Sequence, residues 1–230
     1  MAFFRKGIAK LATEAISNRK TPFITFVLGG PGSGKGTQCQ KIADAFNFEH
    51  ICAGDLLREE MSSNSQNGVM IRSIIMEGMI VPSEITINLL KREIHSCGNN
   101  NKVLIDGFPR NEENRITFER IVGVEPDLVL FFDCPEEEIV ERILKRNQGR
   151  IDDNIDTIKK RLESFKKLSL PVIDHYTAKG KVYKLKKYRW MDTDKQRRLT
   201  NCHEGKSAVK KGKDESRLRL PEASQPDMNG

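Results

Sequence analysis

Short strand-like runs and stripes of helical period alternate along the chain from Thr21 to about Leu185. The first run, Phe23–Leu28, is rich in β-branched and aromatic side chains and stops at two glycines, as a buried strand does. Similar runs cover residues 103–106, 128–133 and 181–185. Each of these runs predicts a β-strand.

Between the runs, apolar residues recur at the spacing of a helix. The stripes consist of Cys39, Ile42, Ala43 and Phe46; of Leu89, Leu90 and Ile94 after Pro82; and of Ile155, Ile158, Leu162 and Phe165. Pro135 begins a further helix, with acids at 136–138 in the first turn, where the helix dipole favours anions. Short apolar strands that alternate with helices predict an α/β fold with a parallel sheet.

The two ends of the chain differ from the middle in charge. Residues 1–21 carry a net charge of +4, residues 22–185 carry −2 and residues 186–230 carry +5. The first segment predicts a basic N-terminal extension, with an organelle-targeting peptide as the alternative because a single acid accompanies Arg, Lys and Ser. The last segment has no sustained period and predicts a disordered basic tail.

Composition narrows the class of protein. Hydrophobic residues make up 37% of the 230 residues, and no apolar run approaches the ~18 residues of a membrane span, so we expect no membrane segment. The five cysteines and four histidines show no metal-ligand spacing, which favours a reducing, cytoplasmic setting without disulfides or a Cys/His metal site. Basic residues lie mainly at the ends, with few aromatics among them, which argues against a nucleic-acid partner.

A glycine-rich loop follows the first predicted strand. Gly29 and Gly34-Lys35 fit the phosphate-loop pattern G-x-x-x-x-G-K, although Gly36 stands where Ser or Thr is usual and Thr37 comes one residue later. A strand before the loop and a helix after it favour nucleotide binding over an incidental turn. Backbone N–H groups and the helix start would bind phosphate, and Lys35 would reach the β- and γ-oxygens. The predicted triphosphate-binding residues are Gly32, Ser33, Gly34, Lys35, Gly36 and Thr37.

Motifs in order along the chain resemble those of the nucleoside monophosphate kinases. They are GGPGSGKGTQ at 29–38, AGDLLR at 53–58, EGMIVP at 77–82 and DGFPR at 106–110. Within that family, NEEN at 111–114 resembles UMP/CMP kinases, because adenylate kinases usually carry Gln at the position of Asn114. The resemblance covers residues 22–185. It implies a P-loop fold with a parallel sheet of about five strands, helices on both faces, an acceptor-binding part at about 52–81 and a short lid at about 145–154.

The resemblance also implies an enzyme that transfers a phosphoryl group from ATP to UMP or CMP with Mg²⁺. Arg58 and Arg110 would clamp the acceptor phosphate, because a planar guanidinium suits bidentate contact. Arg146 and Arg150 would fold over the transferring group as part of the lid, with Arg146 also on the ATP. Arg161 matches a further arginine of the family. The implied catalytic residues are therefore Lys35, Arg110, Arg146, Arg150 and Arg161.

Asn114 would contact the acceptor base, since an amide both donates and accepts and can serve uracil and cytosine alike. Thr37 and Asp106 would hold Mg²⁺, with water between ion and protein. The other acceptor-site residues implied by the resemblance are Met79, Ile80, Val81, Gly107, Phe108 and Pro109, with Arg150 and Arg161. The sequence departs from the family at Met79, where Lys or Arg is usual, and at Cys52, where Ser is frequent.

The resemblance stops near Leu185. The family continues through a loop that touches the donor base and then a closing helix, and neither is recognisable in residues 186–230. A catalytically impaired nucleotide-binding protein that lacks the closing helix is therefore one alternative function, and an adenylate kinase, against which Asn114 argues, is another. A nucleic-acid binder acting through basic tails is a third. We expect a monomer.

Overall fold

The computed structural model describes residues 21–63, 65–98, 102–145 and 150–186. The N-terminal extension before Thr21, the tip of the predicted lid with Arg146, and the tail after Lys186 lie outside the described residues. No helix in the described ranges is both long and apolar enough to cross a membrane.

Five parallel strands form one sheet, in the order β2-β3-β1-β4-β5. The strands are β1 (Phe23–Gly29), β2 (Glu49–Cys52), β3 (Lys102–Asp106), β4 (Leu128–Asp133) and β5 (Val182–Lys186). Every residue of β1 from Phe23 to Leu28 is buried, so both faces of the central strand are covered. The predicted α/β fold with a parallel sheet of about five strands is confirmed.

Eight α-helices connect and cover these strands within the described residues. They are α1 (Lys35–Phe46), α2 (Ala53–Ser62), α3 (Gln66–Met76), α4 (Ser83–Ser96), α5 (Glu112–Val122), α6 (Glu136–Lys145), α7 (Ile155–Ser164) and α8 (Leu170–Ala178). A π-helical turn, Phe165–Ser169, joins α7 to α8. The side chain of Asn111 caps α5, and that of Asn154 caps α7.

An aromatic cluster forms the centre of the main core. Phe26 of β1 packs edge-on against Phe108, Phe118 and Tyr176, with ring centroids 5.8, 5.2 and 6.1 Å away. Burial of a side chain of this size contributes ~1.5–3 kcal/mol to folding. The cluster fixes the segment after β3 and helices α5 and α8 to the sheet.

Two smaller hydrophobic clusters support the flanks of the sheet. One cluster joins α2, α3 and α4 and contains Leu57, Ile71, Val81 and Leu89. Ile139, Ile143, Ile158 and Leu162 pack α6 against α7. Ile155, although part of the predicted stripe, is exposed at the first position of α7. Helices α2, α3 and α4, and likewise α6 and α7, are therefore held together by hydrophobic clusters separate from the main core.

Candidate active site

The glycine-rich loop leads from β1 into α1 at the carboxyl edge of the sheet. Gly32 and Gly34 have left-handed backbones, with φ of +75° and +86°. A side chain at Gly32 would begin 2.6 Å from Cγ1 of Ile143, so both conformation and space require glycine there. Gly34 is the residue before α1, and the first N–H groups of the helix have no intrahelical acceptor. Such a helix start binds anions.

Lys35, the first residue of α1, lies against this loop. Its Nζ donates a hydrogen bond to the carbonyl oxygen of Gly30 over 3.1 Å. Burial lowers the pKa of the ammonium and the nearby Asp106 carboxylate raises it, while Arg110 and Arg161 lower it further. The cleft thus holds crowded positive charge, which an anionic ligand would stabilise.

Asp106 ends β3 beside the loop. Its register partners are Val27 of β1 and Cys52 of β2. The side chain is 4% exposed, and Oδ1 accepts no hydrogen bond within the described part of the chain. Oδ2 lies 3.4 Å from the point where a side chain at Gly36 would begin, and the neighbouring Thr37 is exposed. A buried carboxylate with an unmet oxygen is suited to a cation or its water.

Arg58 and Arg110 meet over Gly54 at the start of α2. A side chain at Gly54 would begin 3.3 Å from both terminal nitrogens of Arg58 and 3.6 Å from Nη2 of Arg110. Arg58 pairs with Asp55, and Nε of Arg110 donates to the Gly107 carbonyl oxygen over 3.1 Å. Two guanidinium groups this close repel each other unless an anion lies between them. The arrangement therefore favours binding of a second phosphate group.

Arg161 of α7 also lines the cleft. It forms an ion pair with Asp152, a carboxylate that is 5% exposed. Arg150 is half-buried before Asp152 and does not line the cleft within the described residues. The structure thus brings Lys35, Arg110 and Arg161 together, and Arg146 lies outside the described residues.

These groups surround one open cleft. The predicted site residues that line it are Lys35, Arg58, Met79, Ile80, Gly107, Pro109, Arg110 and Arg161. Val81 and Phe108 do not line it, because Val81 packs in the cluster of Leu57 and Phe108 packs on Phe26. Their side chains contribute packing beneath the cleft rather than its surface.

Asn114 is buried beside the cleft and bonded to protein on both amide atoms. Nδ2 donates to Ser83 Oγ over 2.8 Å, and Oδ1 accepts from the backbone N–H of Arg110 over 3.1 Å. Because a backbone N–H can only donate, it fixes which amide atom faces Arg110. The amide carries two N–H groups, and the bond to Ser83 uses one of them. The role of Asn114 toward a base remains a prediction.

The structure adds cleft residues that the sequence did not predict. Asp152 is one, and its signal was the pair of acids that follows Arg150. The others that shape the wall of the cleft are Leu57, Ile75, Ser164, Phe165 and Ser169. The last two lie in the π-helical turn, where Ser169 Oγ donates to the Arg110 carbonyl oxygen over 2.7 Å. A π turn has no clear sequence signature, so this contact was not predictable.

Comparison with known proteins gives relatives of the same kind. The chain is 63% identical over 164 residues to "Probable UMP-CMP kinase 2" of Arabidopsis thaliana, covering 71% of this chain and 63% of the relative. It is 61% identical over 168 residues to "UMP-CMP kinase" of Prunus armeniaca, covering 73% and 72%. It is 50% identical over 168 residues to "Uridylate kinase" of Saccharomyces cerevisiae, covering 71% and 82%. The chain thus spans less than two thirds of the Arabidopsis relative.

The model of one protein family also matches, and its description is "Adenylate kinase". The match runs over residues 27–181, which include every described residue that lines the cleft. The chain therefore belongs to the adenylate kinase family.

Proposed function

We propose that this protein transfers the γ-phosphoryl group of ATP to UMP or CMP, giving ADP and UDP or CDP. The observation that carries the proposal is the paired arrangement of two phosphate-binding elements on one cleft. The glycine-rich loop with Lys35 lies on one side, and Arg58 with Arg110 lies on the other. The printed names of the plant and yeast relatives support pyrimidine monophosphates as acceptors.

Charge and position explain how these side chains would act. Phosphoryl transfer needs alignment of the two substrates and neutralisation of negative charge more than covalent chemistry. Lys35 would stabilise the β- and γ-oxygens of ATP, and Arg58 with Arg110 would hold the acceptor phosphate. Arg110 and Arg161 both lower the pKa of Lys35, so the three charges act on one small region. That region is where the transferring group would pass.

Asp106 and Thr37 fit a Mg²⁺ ion that accompanies ATP. The unmet Oδ1 of Asp106 could accept from water on the ion, and Thr37 offers an exposed hydroxyl on the first turn of α1. When bound, the ion would neutralise charge on the β- and γ-phosphates. Asp106 is close enough to Lys35 to raise its pKa, and Thr37 follows Lys35 by two residues. Both positions are consistent with a shared role.

The predicted division of the chain is part of this proposal. The acceptor-binding part at about 52–81 corresponds to α2, α3 and the segment before α4, and the lid at about 145–154 joins α6 to α7. The reducing, cytoplasmic setting stays a prediction from the scattered, odd-numbered cysteines of the sequence. The monomeric state stays a prediction from the sequence.

An ADP-release assay with UMP, CMP, AMP and GMP in turn tests the proposal. We expect UMP and CMP to be used much better than either purine nucleotide. Arg110→Ala serves as the control, because it should abolish acceptor use while ATP binding persists. AMP as the best acceptor would make the protein an adenylate kinase. ATP binding without turnover on any monophosphate would make it an impaired nucleotide-binding protein.

A further inference from the structure

A cysteine, a histidine and an aspartate from three elements converge under the glycine-rich loop. Cys39 lies on α1, His50 on β2 and Asp106 at the end of β3. One ligand atom from each lies within 4.8 Å of the other two. The spacing of cysteines and histidines along the sequence gave no sign of a metal site, because the parallel sheet brings these three residues together from distant positions.

Two of the three side chains lack partners for buried polar atoms. His50 Nε2 and Asp106 Oδ1 form no hydrogen bond within the described part of the chain. His50 Nε2 is 3.9 Å from Asp106 Oδ2, which is too long for a hydrogen bond. Asp106 is 4% exposed, so water can reach the carboxylate only through a narrow path. Buried polar atoms without partners are rare in native proteins and need an explanation.

We propose that Cys39, His50 and Asp106 form a binding site for Zn²⁺ that inhibits the enzyme. Thiolate, imidazole and carboxylate are the three ligand types that zinc combines, whereas Mg²⁺ prefers oxygen alone. On tetrahedral zinc, bond lengths of ~2.0–2.3 Å place neighbouring ligand atoms about 3.3–3.6 Å apart. The observed separations are all within 4.8 Å and exceed this by at most about 1.5 Å, which side-chain rotation can supply. The fourth position would hold water.

Binding has a defined proton balance. Burial raises the pKa of the Cys39 thiol, and the Asp106 carboxylate raises it further, so the metal-free thiol is protonated at neutral pH. Zinc would bind the thiolate, and one proton would leave to solvent.

Inhibition follows from the use of Asp106 by both ions. A carboxylate that ligates zinc cannot hold water for Mg²⁺, and its charge no longer offsets that of Lys35. This part rests on the proposed function, whereas zinc binding itself does not. The site would make the kinase sensitive to a soft divalent cation without any change of substrate.

Cobalt titration of the full-length, nucleotide-free protein tests binding. Co²⁺ replaces Zn²⁺ in such sites, and its bond to thiolate gives a near-ultraviolet charge-transfer band. We expect this band at one equivalent in the unmodified protein and its displacement by Zn²⁺. Cys39→Ala should lose the band, while Cys97→Ser and Cys202→Ser should keep it. His50→Gln should keep the thiolate but weaken affinity at least ~10-fold.

Two results would overturn the site. One is absence of the band in the unmodified protein, and the other is its persistence in Cys39→Ala. Circular dichroism of each variant checks that the fold is retained. His50→Gln, on a partly exposed strand residue, provides a second test if Cys39→Ala does not fold.

Initial rates of UMP phosphorylation in buffered Zn²⁺ test inhibition. The zinc concentration for half-inhibition should rise at least ~10-fold in Cys39→Ala and His50→Gln, with unchanged rates in the absence of zinc. Equal inhibition of all variants would refute an inhibitory role for this site. If no monophosphate is phosphorylated, the proposed function fails, and the cobalt titration still decides whether the metal site exists.

Discussion

Lys35 is the residue on which phosphoryl transfer should depend most. Its ammonium contacts the loop carbonyl of Gly30 and lies among other cations, so its charge is available to the donor phosphates. We predict that Lys35→Ala lowers kcat by ~10³-fold or more, because stabilisation of phosphate charge has that order of effect. ATP affinity should fall much less, since the backbone of the loop remains. Steady-state rates and ATP titration measure the two effects.

Lys41→Ala is the matched control for Lys35→Ala. It removes the same charge from an exposed position of the same helix and should leave kcat unchanged. Near-normal turnover of Lys35→Ala would contradict the assigned role.

Asp152 controls the position of Arg161, and this pair gives a second prediction at the residue scale. The carboxylate is buried and paired with the guanidinium across the base of the predicted lid. We predict that Asp152→Ala lowers kcat more than about tenfold, because the substitution removes a buried carboxylate that orients and compensates the Arg161 guanidinium. The half-buried neighbour in Asp153→Ala serves as the control. Equal effects of the two substitutions would show that the lid, not the Arg161 pair, matters.

Among the elements, the π-helical turn Phe165–Ser169 connects the two sides of the cleft. Ser169 donates to the carbonyl oxygen of Arg110, and Phe165 lies against the loop at Gly30. We predict that Ser169→Ala lowers the free energy of unfolding by ~1–2 kcal/mol, since it leaves a part-buried carbonyl without a donor. Urea unfolding measures the change, and exposed Ser96→Ala should alter stability by less than about 0.5 kcal/mol. A neutral Ser169→Ala would mean that water replaces the hydroxyl.

The connection before β5 is stabilised by charge. Glu125 accepts from Lys179 over 2.5 Å and from Lys181 over 2.8 Å, and these bonds lower the pKa of its carboxyl from 4.5 to about 2. A lowered folded-state pKa means that the charged form favours the fold. The contribution is therefore complete above pH 4.5 and is lost as pH falls toward about 2.

Glu125→Gln should remove this contribution at pH 7 and reduce the loss of stability between pH 5 and 2. We expect the free energy of unfolding to fall by no more than ~1 kcal/mol, because the ion pairs of Glu125 are partly exposed and screened by solvent. Thermal unfolding as a function of pH measures it. Exposed Glu163→Gln provides the comparison, and identical pH profiles of the two variants would contradict the prediction.

The strands with a continuous apolar signal were the most direct to predict. The runs that became β1, β3 and β4 are almost wholly buried, so their sequence reports their position directly. β2 was missed because only Ile51 of its four residues is buried. Ile155 was misleading, since helical spacing alone does not reveal that α7 begins there and exposes it. Short edge elements depend on tertiary pairing more than on local pattern.

At the scale of the whole molecule, the cleft combines residues that lie far apart along the chain. Local motifs predicted Lys35, Arg58, Arg110 and Arg161, and the strand order of the sheet brings them to one edge. The bonds of Asn114 to Ser83 and Arg110, and the metal-type cluster at Cys39, depend on that folding and had no local signal. The net charge of residues 22–185 is −2, yet their cleft is cationic. The positions of the charged residues in the fold, rather than the net charge of the segment, therefore determine the charge of the cleft.

The final prediction concerns the basic tail. Within the described residues, the five strands lie between Phe23 and Lys186, and the residues that line the cleft lie between Leu28 and Ser169. Deletion of residues 200–230 should therefore leave kcat/KM within about threefold and change Tm by less than ~2 °C, since ~1 kcal/mol shifts Tm by about 2–4 °C at this size. Rate assays and thermal unfolding of the shortened and full chains measure this. Salt-dependent RNA binding by the full chain alone would assign the tail a separate role. Protease protection of 200–230, or marked destabilisation on their removal, would mean instead that the tail covers the fold where related kinases have a closing helix.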